Sequence, residues 1–274
     1  MDNNQSDRAK PPANSNYALD NAAREASPRF AALAAMFDPG TIRHLEQRGV
    51  TSGWNCLEVG GGGGSIAAWL AARVGPAGRV LATDIDPRFL QSSQTANLEV
   101  RRHDIVNDPL PEAAFDLVHS RLVLLHIPER EKALARMVAA LKPGGWLVDE
   151  DFDASSILPD PTANPAEVLL KTLTATRRVM QDRGADDRTF ARRLFTRLRA
   201  HGLVDVDAQA SLSMWHSGSP GAALLRANFE QLHRTMIDAG YLTGQEFDQD
   251  LARLDDPDFL MPSPIMWTVW GRRP

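Results

Sequence analysis

Five consecutive glycines, Gly60 to Gly64, lie between a short apolar stretch and a segment with helical spacing. The stretch before them reads "NCLEV", and the segment after them reads "SIAAWLAARV". Glycine inside a strand or a helix costs about 0.5–1 kcal/mol relative to alanine, so this run belongs to a turn. Such a turn lets the backbone approach a ligand closely at the N-terminus of the following helix. The sequence therefore predicts a nucleotide-type cofactor site at this turn.

Apolar segments alternate with helical segments from residue 54 to residue 153. The predicted strands read "NCLEV", "GRVLATDID", "LEVRRHD", "FDLVHSRLVL" and "WLVDEDF". The helices predicted between them span 65–74, 87–96 and 129–141. This alternation predicts right-handed crossovers and a parallel sheet that is covered on both faces.

The segments outside this alternation are predicted to be a tail, an N-terminal helical segment and two helical insertions. Residues 1–16 are polar and are expected to be disordered, and 17–53 are expected to be helical, with Ser27 as an N-cap and a break at Asp38-Pro39. A domain over 54–274 then carries insertions at about 157–200 and 212–262. Helices are predicted in them at 164–181, 188–200 and 220–239, and Thr243 with Glu246 fits a capping box for one more.

Composition favours a cytoplasmic enzyme. The net charge of −5 opposes a protein whose main ligand is a nucleic acid. Cys56 is the only cysteine, so neither an intrachain disulfide nor a multi-cysteine metal site is expected, and no metal is predicted. No segment resembles a signal peptide or a membrane span, and no membrane partner is expected.

The acid before the glycines discriminates between two kinds of cofactor. A dinucleotide fingerprint needs a third glycine or alanine where this sequence has Ser65 or Ile66, depending on the frame; the glycines instead fit positions 60, 62 and 64. Glu58, at the end of the first strand, would repel a pyrophosphate. It suits S-adenosylmethionine, which has no phosphate and carries an α-ammonium and a sulfonium. The residues therefore favour S-adenosylmethionine over a dinucleotide.

Two more acids end the next two predicted strands. Asp84 lies about twenty residues beyond the glycines, where a carboxylate accepts hydrogen bonds from ribose hydroxyls. Asp86, two residues later, is expected to cap the helix at 87–96. Asp104 ends the third strand, where it could accept the adenine amino group or simply stabilise a turn.

The segments "LEVGGGGGS", "ATDIDP", "RRHDI", "FDLVHSRLVLLHIP" and "LKPGGWL" occur in the order and spacing of a known family. They resemble the class I S-adenosylmethionine-dependent methyltransferases over about 54–153, and 203–211 and 265–271 fit the family's last two strands. The resemblance implies a Rossmann-like, doubly wound α/β fold with seven strands, mostly parallel, and an antiparallel last strand. The inserted helices are expected to form a lid over this sheet.

The resemblance also suggests a role for individual positions. The expected cofactor-binding residues are Glu58, Gly60, Gly62 and Gly64 for the methionine end, Asp84 for the ribose, Asp104 with Ile105 for the adenine, Ser120 and Arg121 beside the methionine moiety and the methyl group, and Ile85. The expected acceptor-side residues are His126 as a general base, and Glu150, Asp151 and Tyr17 as substrate contacts. An ordinary packed histidine is the alternative for His126, and solvated acids are the alternative at the end of the fifth strand.

The leading interpretation is transfer of a methyl group from S-adenosylmethionine to a small organic acceptor by in-line attack. The alternatives are an RNA or protein methyltransferase, an NAD(P)-dependent oxidoreductase and a non-catalytic relative that binds the cofactor. Eight arginines between 177 and 199 would suit RNA if they formed a phosphate-binding strip. Phe190, Leu194 and Leu198 recur there every four residues, which favours a solvated arginine face and no nucleic-acid partner. A homodimer is compatible with the sequence.

Overall fold

A seven-stranded sheet organises the chain in a computed structural model that describes residues 18–156, 171–185 and 187–274. The predicted tail, Tyr17 and the helix start predicted at Asn164 lie outside these residues. The strands are β1 (Asn55–Val59), β2 (Arg79–Asp84), β3 (Leu98–Arg102), β4 (Phe115–Arg121), β5 (Leu141–Asp153), β6 (Val204–Ser211), β7 (Met214–His216), β8 (Leu260–Pro262) and β9 (Ile265–Arg272). The helices are α1 (Ala26–Gln47), α2 (Ser65–Val74), α3 (Arg130–Ala140), α4 (Lys171–Asp182), α5 (Phe190–Ala200), α6 (Pro220–Asp238) and α7 (Gly244–Arg253).

The order of the strands is β3-β2-β1-β4-β5-β9-β6. The pairs from β3 to β5 are parallel, whereas β9 is antiparallel to both of its neighbours, β5 and β6. The predicted doubly wound sheet with an antiparallel last strand is therefore confirmed. A second sheet, β7 with β8, was not predicted; it is a separate two-stranded pair within the second insertion.

Successive strand residues point alternately to the two faces of the sheet. Helices pack against both faces of the central strands and bury them. On one face, Leu57 of β1 belongs to a cluster with side chains of α3 and α5. On the other face, Cys56 packs with side chains of α1 and α2. All the strands from β1 to β5 run in one direction, so their carboxyl ends meet at one edge of the sheet.

A helical layer formed by α1, α4, α6 and α7 has its own apolar cluster. Its largest buried side chains include Phe229 and Met236 of α6, which pack with Leu173 of α4 and Phe247 of α7. The capping box of Thr243 and Glu246 is present at the start of α7, as predicted. The domain boundaries, including the start at residue 54, stay a prediction.

Three local predictions were wrong. Residues 87–96 form only a 3-10 turn, Gln91–Ser93, because serine, threonine and asparagine favour helices weakly and Leu90 is fully buried beside the glycines. Asp86 therefore caps no helix there and instead pairs with Arg88 at 2.9 Å. Helix α1 begins before Ser27 and continues through Pro39. A proline inside a helix costs about 3 kcal/mol, and buried α1 side chains on both sides of Pro39 offset that cost.

Candidate cofactor and acceptor site

A cavity of about 670 Å³ lies at the carboxyl edge of the sheet, below the helical layer. Its floor comes from the glycine turn and from the residues that follow β2, β3 and β4. Its roof comes from α1, α4 and α6 through side chains that include Phe30, Leu33, Met180, Leu224 and Asn228. The volume is within the range of about 300–1,000 Å³ that is usual for sites of small molecules and cofactors.

The glycine turn has no room for side chains where it meets the cavity. A Cβ atom at Gly62 would lie 2.7 Å from Phe30 of α1, and one at Gly60 would lie 2.4 Å from Val123. Gly62 also has a φ of +50°, which side chains rarely adopt. Gly60 and Gly62 line the cavity, whereas Gly64 lies behind it against Ser93. The turn therefore offers bare backbone to a ligand, as predicted from the run of glycines.

Asp84 connects the end of β2 to this turn. Its Oδ2 accepts a hydrogen bond from the Gly62 N–H at 3.0 Å, and its Oδ1 accepts one from the Asp86 N–H at 2.9 Å. Burial raises the pKa of the Asp84 carboxyl, and these two backbone donors partly oppose that effect. Asp84 and Ile85 both line the cavity. The carboxylate is thus held rigidly where a ligand hydroxyl could donate to it.

Asp104 lines the cavity with Ile105 but also closes its own turn. Its Oδ1 accepts from the Val106 N–H and its Oδ2 accepts from the Asn107 side chain, both at 2.8 Å. Ile105 is buried and belongs to the core cluster on that face of the sheet. The turn role that the sequence left open for Asp104 is therefore present, alongside its place in the cavity wall.

A chain of buried polar groups lies beneath the glycine turn. His119 of β4 contacts Glu58 of β1 through Nδ1 at 2.6 Å and Glu150 of β5 through Nε2 at 3.5 Å. Thr41 of α1 donates to Glu150 Oε2, and Thr268 of β9 donates to Glu150 Oε1 at 2.7 Å. Burial lowers the pKa of His119, but the two carboxylates outweigh it and raise the value to about 9. Burial likewise opposes ionisation of Glu150, but the hydrogen bond from His119 lowers its pKa to about 2.

Three predicted ligand contacts belong to the interior and do not line the cavity in the described part of the chain. Glu150 is occupied by His119 and the two threonines. Ser120 is fully buried and donates to Asp149. Asp151 is also fully buried, and its Oδ2 accepts from the Leu125 N–H at 3.1 Å. The expectation that these residues face a ligand is corrected here, because Glu150 is enclosed by α1 and β9, while Ser120 and Asp151 contact Asp149 and Leu125 in the interior.

Arg121 does line the cavity, and it also attaches α1 to β4. Its guanidinium donates to Thr41 Oγ1 and to Asp38 Oδ1, each at 2.9 Å. Asp38 Oδ1 also accepts from Ser65 at the start of α2, at 3.2 Å. The second half of α1 is therefore held directly above the glycine turn. The sequence analysis missed this role of Asp38, for which residue type gives no signal.

His126 lies in the cavity wall after β4, as expected from its position. Burial, with the positive charges of Arg29 and Arg130, lowers its pKa to about 4, so the imidazole is neutral near pH 7. Arg29 was missed by the sequence analysis. It is 1% exposed, lines the cavity, and donates to Asn21 and Gln231, each at 2.8 Å.

Residues 18–156, 171–185 and 187–274 contain no group of three or more His, Cys, Asp or Glu side chains that could hold a metal. Burial raises the pKa of the Cys56 thiol. No helix among them is both long enough and apolar enough to cross a bilayer.

Comparisons with known proteins agree with this arrangement. Residues 57–149 match the model of a family described as a methyltransferase domain. The similarity to a methyltransferase domain thus covers the part of the chain that contains β1 to β4 and most of the glycine-lined cavity wall. It is 33% identical over 116 residues to a ubiquinone/menaquinone biosynthesis C-methyltransferase of Pseudomonas putida, a match that covers 39% of this chain and 45% of the relative. It is 39% identical over 100 residues to methyltransferase str2 of Strobilurus tenacellus, which covers 35% of each chain.

The chain therefore spans less than half the length of these curated relatives. Among solved structures, phosphoethanolamine N-methyltransferase 2 of Haemonchus contortus, in complex with S-adenosyl-L-methionine, aligns with a TM-score of 0.53 and 15% identity. That alignment covers 86% of this chain and 52% of the other. At this identity the likeness concerns the methyltransferase fold alone.

The glycine turn yields a first prediction. Gly62→Ala should weaken binding of S-adenosylhomocysteine at least tenfold, because the positive φ costs roughly 1–2 kcal/mol and the Phe30 ring occupies the space of the new methyl. Gly61→Ala is the matched control. Its methyl would meet only the ends of the Leu90 side chain, at 2.9 Å, and its φ is not positive. Calorimetry should give a change below threefold for Gly61→Ala; equal losses in both variants would contradict this geometry.

The buried histidine predicts how stability depends on pH. The folded pKa of His119, about 9, exceeds the ordinary histidine value of 6.5, so its stabilisation is complete below pH 6.5 and is lost as pH rises through 9. Glu150 has the opposite sign, so its stabilisation is complete above pH 4.5 and is lost as pH falls towards 2. The shift of His119 corresponds to a loss on the order of 3 kcal/mol between pH 6.5 and 9.5.

Urea unfolding of the wild type and of His119→Asn across pH 6–9.5 measures this loss. The wild type should lose unfolding free energy more steeply than the variant. Parallel curves for the two proteins would mean that His119 is not charged in the folded state.

Proposed function

We propose that the chain binds S-adenosylmethionine in the cavity and transfers its methyl group to a small organic acceptor. The observation that carries this proposal is the juxtaposition of the bare glycine turn with Glu58 at the end of β1 and Asp84 at the end of β2, all in one cavity wall. Gly60 and Gly62 both have positive φ, and a Cβ atom at either would meet another side chain within 3 Å, so this cradle depends on glycine there.

The charges in the wall suit this cofactor better than a dinucleotide. Glu58 lines the cavity beside the turn, where a carboxylate attracts an ammonium group and repels a pyrophosphate. The rigidly held Asp84 would accept hydrogen bonds from the ribose hydroxyls. Ile85 and Ile105, which line the next part of the cavity, would contact the adenine. Arg121 would lie on the methionine side, together with Glu58.

The roof of the cavity supports a small acceptor with an apolar body. Leu33, Phe152, Met180 and Leu224 come from α1, β5, α4 and α6 and present apolar surface. Asn228 of α6 also lines the cavity, and its Oδ1 is buried without a hydrogen-bond partner in the described part of the chain. A buried acceptor atom left unpaired is costly, so a ligand with an O–H or N–H group would fit there.

Bound S-adenosylmethionine supplies an electrophilic methyl on a sulfonium, and the residues of the cavity would align the acceptor with it. Alignment alone can lower a barrier by about 7–11 kcal/mol in favourable systems, so a dedicated base is not required. His126 is neutral near pH 7 and could take a proton from the acceptor, which keeps it as the candidate base.

The arginines between 177 and 199 give little support to an RNA acceptor. Four of them are occupied by other protein groups: Arg188 with the Ala154 carbonyl, Arg192 with Asp153, Arg193 with Asp187 and Arg197 with Glu131. Guanidinium groups held in ion pairs are less available to phosphates than a free basic strip would be. We therefore retain the small-molecule acceptor, no nucleic-acid partner and the compatible homodimer as parts of the proposal.

Cofactor identity is tested by calorimetry with S-adenosylhomocysteine and with NADH. We expect binding of the first and none of the second. Asp84→Ala should weaken S-adenosylhomocysteine binding roughly ten- to a hundredfold, because loss of one buried hydrogen-bonding group costs about 1–3 kcal/mol. Asp86→Ala is the control, because its carboxylate pairs with Arg88 at the surface. Tight NADH binding, or a larger loss in Asp86→Ala, would overturn the assignment.

The acceptor class is tested by methyl transfer from labelled cofactor to total RNA, a protein extract and a small-metabolite library. We expect turnover with the library, and Asn228→Leu should favour acceptors that lack a hydrogen-bond donor. Turnover on RNA, with an affinity that falls steeply as salt rises, would instead support the nucleic-acid alternative. Binding without turnover in all three pools would favour the non-catalytic relative.

A further inference from the structure

His119 is fully buried under the glycine turn, and the proposed transfer does not use it. It lies directly opposite Glu58 on the neighbouring parallel strand, where Glu58↔His119 is a paired register position of β1 and β4. Its Nδ1 lies 2.6 Å from Glu58 Oε2. Glu58 itself reaches the cavity wall, whereas His119 is not part of that wall. The histidine therefore touches the candidate ligand-binding acid from behind.

We propose that His119 is a positioning residue that holds Glu58 through Oε2, places the positive charge of its imidazolium against this buried side chain, and leaves Oε1 to the ammonium group of the cofactor. This inference rests on the proposed function, because it assigns a role within the proposed cofactor site. The strand register fixes the pair, so its geometry does not depend on a mobile loop.

The second carboxylate explains how a buried histidine can remain positively charged. Nε2 lies 3.5 Å from Glu150 Oε2, so both ring nitrogens face carboxylate oxygens, and only the imidazolium can donate from both. The hydroxyls of Thr41 and Thr268 donate to Glu150 and favour its charged form. A doubly flanked imidazolium thus replaces part of the solvation that Glu58 loses on burial.

The charged and titratable groups around the pair come from four elements. They are Glu58 of β1, Arg121 of β4, Asp149 and Glu150 of β5, and Asp38 and His44 of α1. Burial raises the pKa of the Asp149 carboxyl, and burial lowers the pKa of the His44 imidazole. These two groups therefore favour their neutral forms. Among the other groups, each positive side chain contacts a negative one: His119 contacts Glu58 and Glu150, and Arg121 contacts Asp38.

The test is the pH dependence of S-adenosylhomocysteine binding between pH 6 and 8, measured by calorimetry. In the wild type we expect a change in Kd of less than twofold, because the pKa of His119, raised to about 9 by the two carboxylates despite burial, keeps its imidazolium charged throughout this range. In His119→Asn, burial without the imidazolium should lead the Glu58 carboxyl to take up a proton, which binding must then release. Affinity should therefore fall by up to tenfold per pH unit as pH decreases. Buffers with different ionisation enthalpies should report this released proton only in the variant.

His44→Asn is the matched control, since it removes another buried imidazole whose charged neighbours are Glu150, Arg43 and Arg48. Its binding should stay independent of pH. A loss of affinity in His119→Asn that is equal at every pH, or no loss, would overturn the proposal, because a merely structural histidine would not change the pH profile.

Nitrogen-15 NMR of the imidazoles in the wild type gives a second readout if His119→Asn does not fold. Both His119 nitrogens should be protonated at pH 7.5, and a neutral tautomer would overturn the proposal. Failure of the wild type to bind S-adenosylhomocysteine would overturn the proposed function, and this role with it. Binding by a wild type whose His119 is neutral would overturn this role alone.

Discussion

The close contact between helix α1 and the glycine turn is the constraint on which the rest of the site depends. Phe30 packs so near Gly62 that a single methyl would fill the gap. Farther along the same helix, Asp38 accepts hydrogen bonds from Ser65 and Arg121. Helix α1 thus covers the glycine turn with Phe30 and is fixed beside it through the hydrogen bonds of Asp38. These contacts hold α1, part of the roof of the cavity, at a fixed distance from the carboxyl ends of the strands. The cavity is the space between them.

The acids at the end of β5 show how a sheet accommodates four carboxylates in five residues. Asp149 and Asp151 point to one face, and burial raises the pKa of both, which favours their neutral forms. Glu150 points to the other face, where His119 and two threonines stabilise its charge. Asp153 reaches Arg192 at 2.6 Å, and despite partial burial this contact lowers its pKa. The cost of burying these acids is therefore reduced by protein groups or by the neutral form of the acid. A bound ligand is not needed for either.

The sequence predicted the alternation of strands and helices and the glycine turn because both depend on short-range pattern. "NCLEV", the five glycines and "SIAAWLAARV" specify strand, turn and helix within twenty residues of chain. The roles of Glu150, Ser120 and Asp151 could not be predicted in this way. Glu150 contacts Thr41 and Thr268, which are more than one hundred residues away along the chain, whereas Ser120 and Asp151 contact Asp149 and Leu125. Residue type alone cannot show whether an acid at a strand end faces a cavity or a neighbouring strand.

The two acids nearest to the glycine turn, Asp84 and Glu58, are held in different ways. Asp84 receives two backbone N–H groups, which fix its direction without adding a charge. Glu58 instead contacts a charged side chain, His119, which fixes its direction and places a positive charge beside it. A ligand hydroxyl needs only a well-placed acceptor, whereas an ammonium needs a full negative charge in a poorly solvated position. The different support given to these two carboxylates therefore matches the different demands of the ribose and methionine ends of the proposed cofactor.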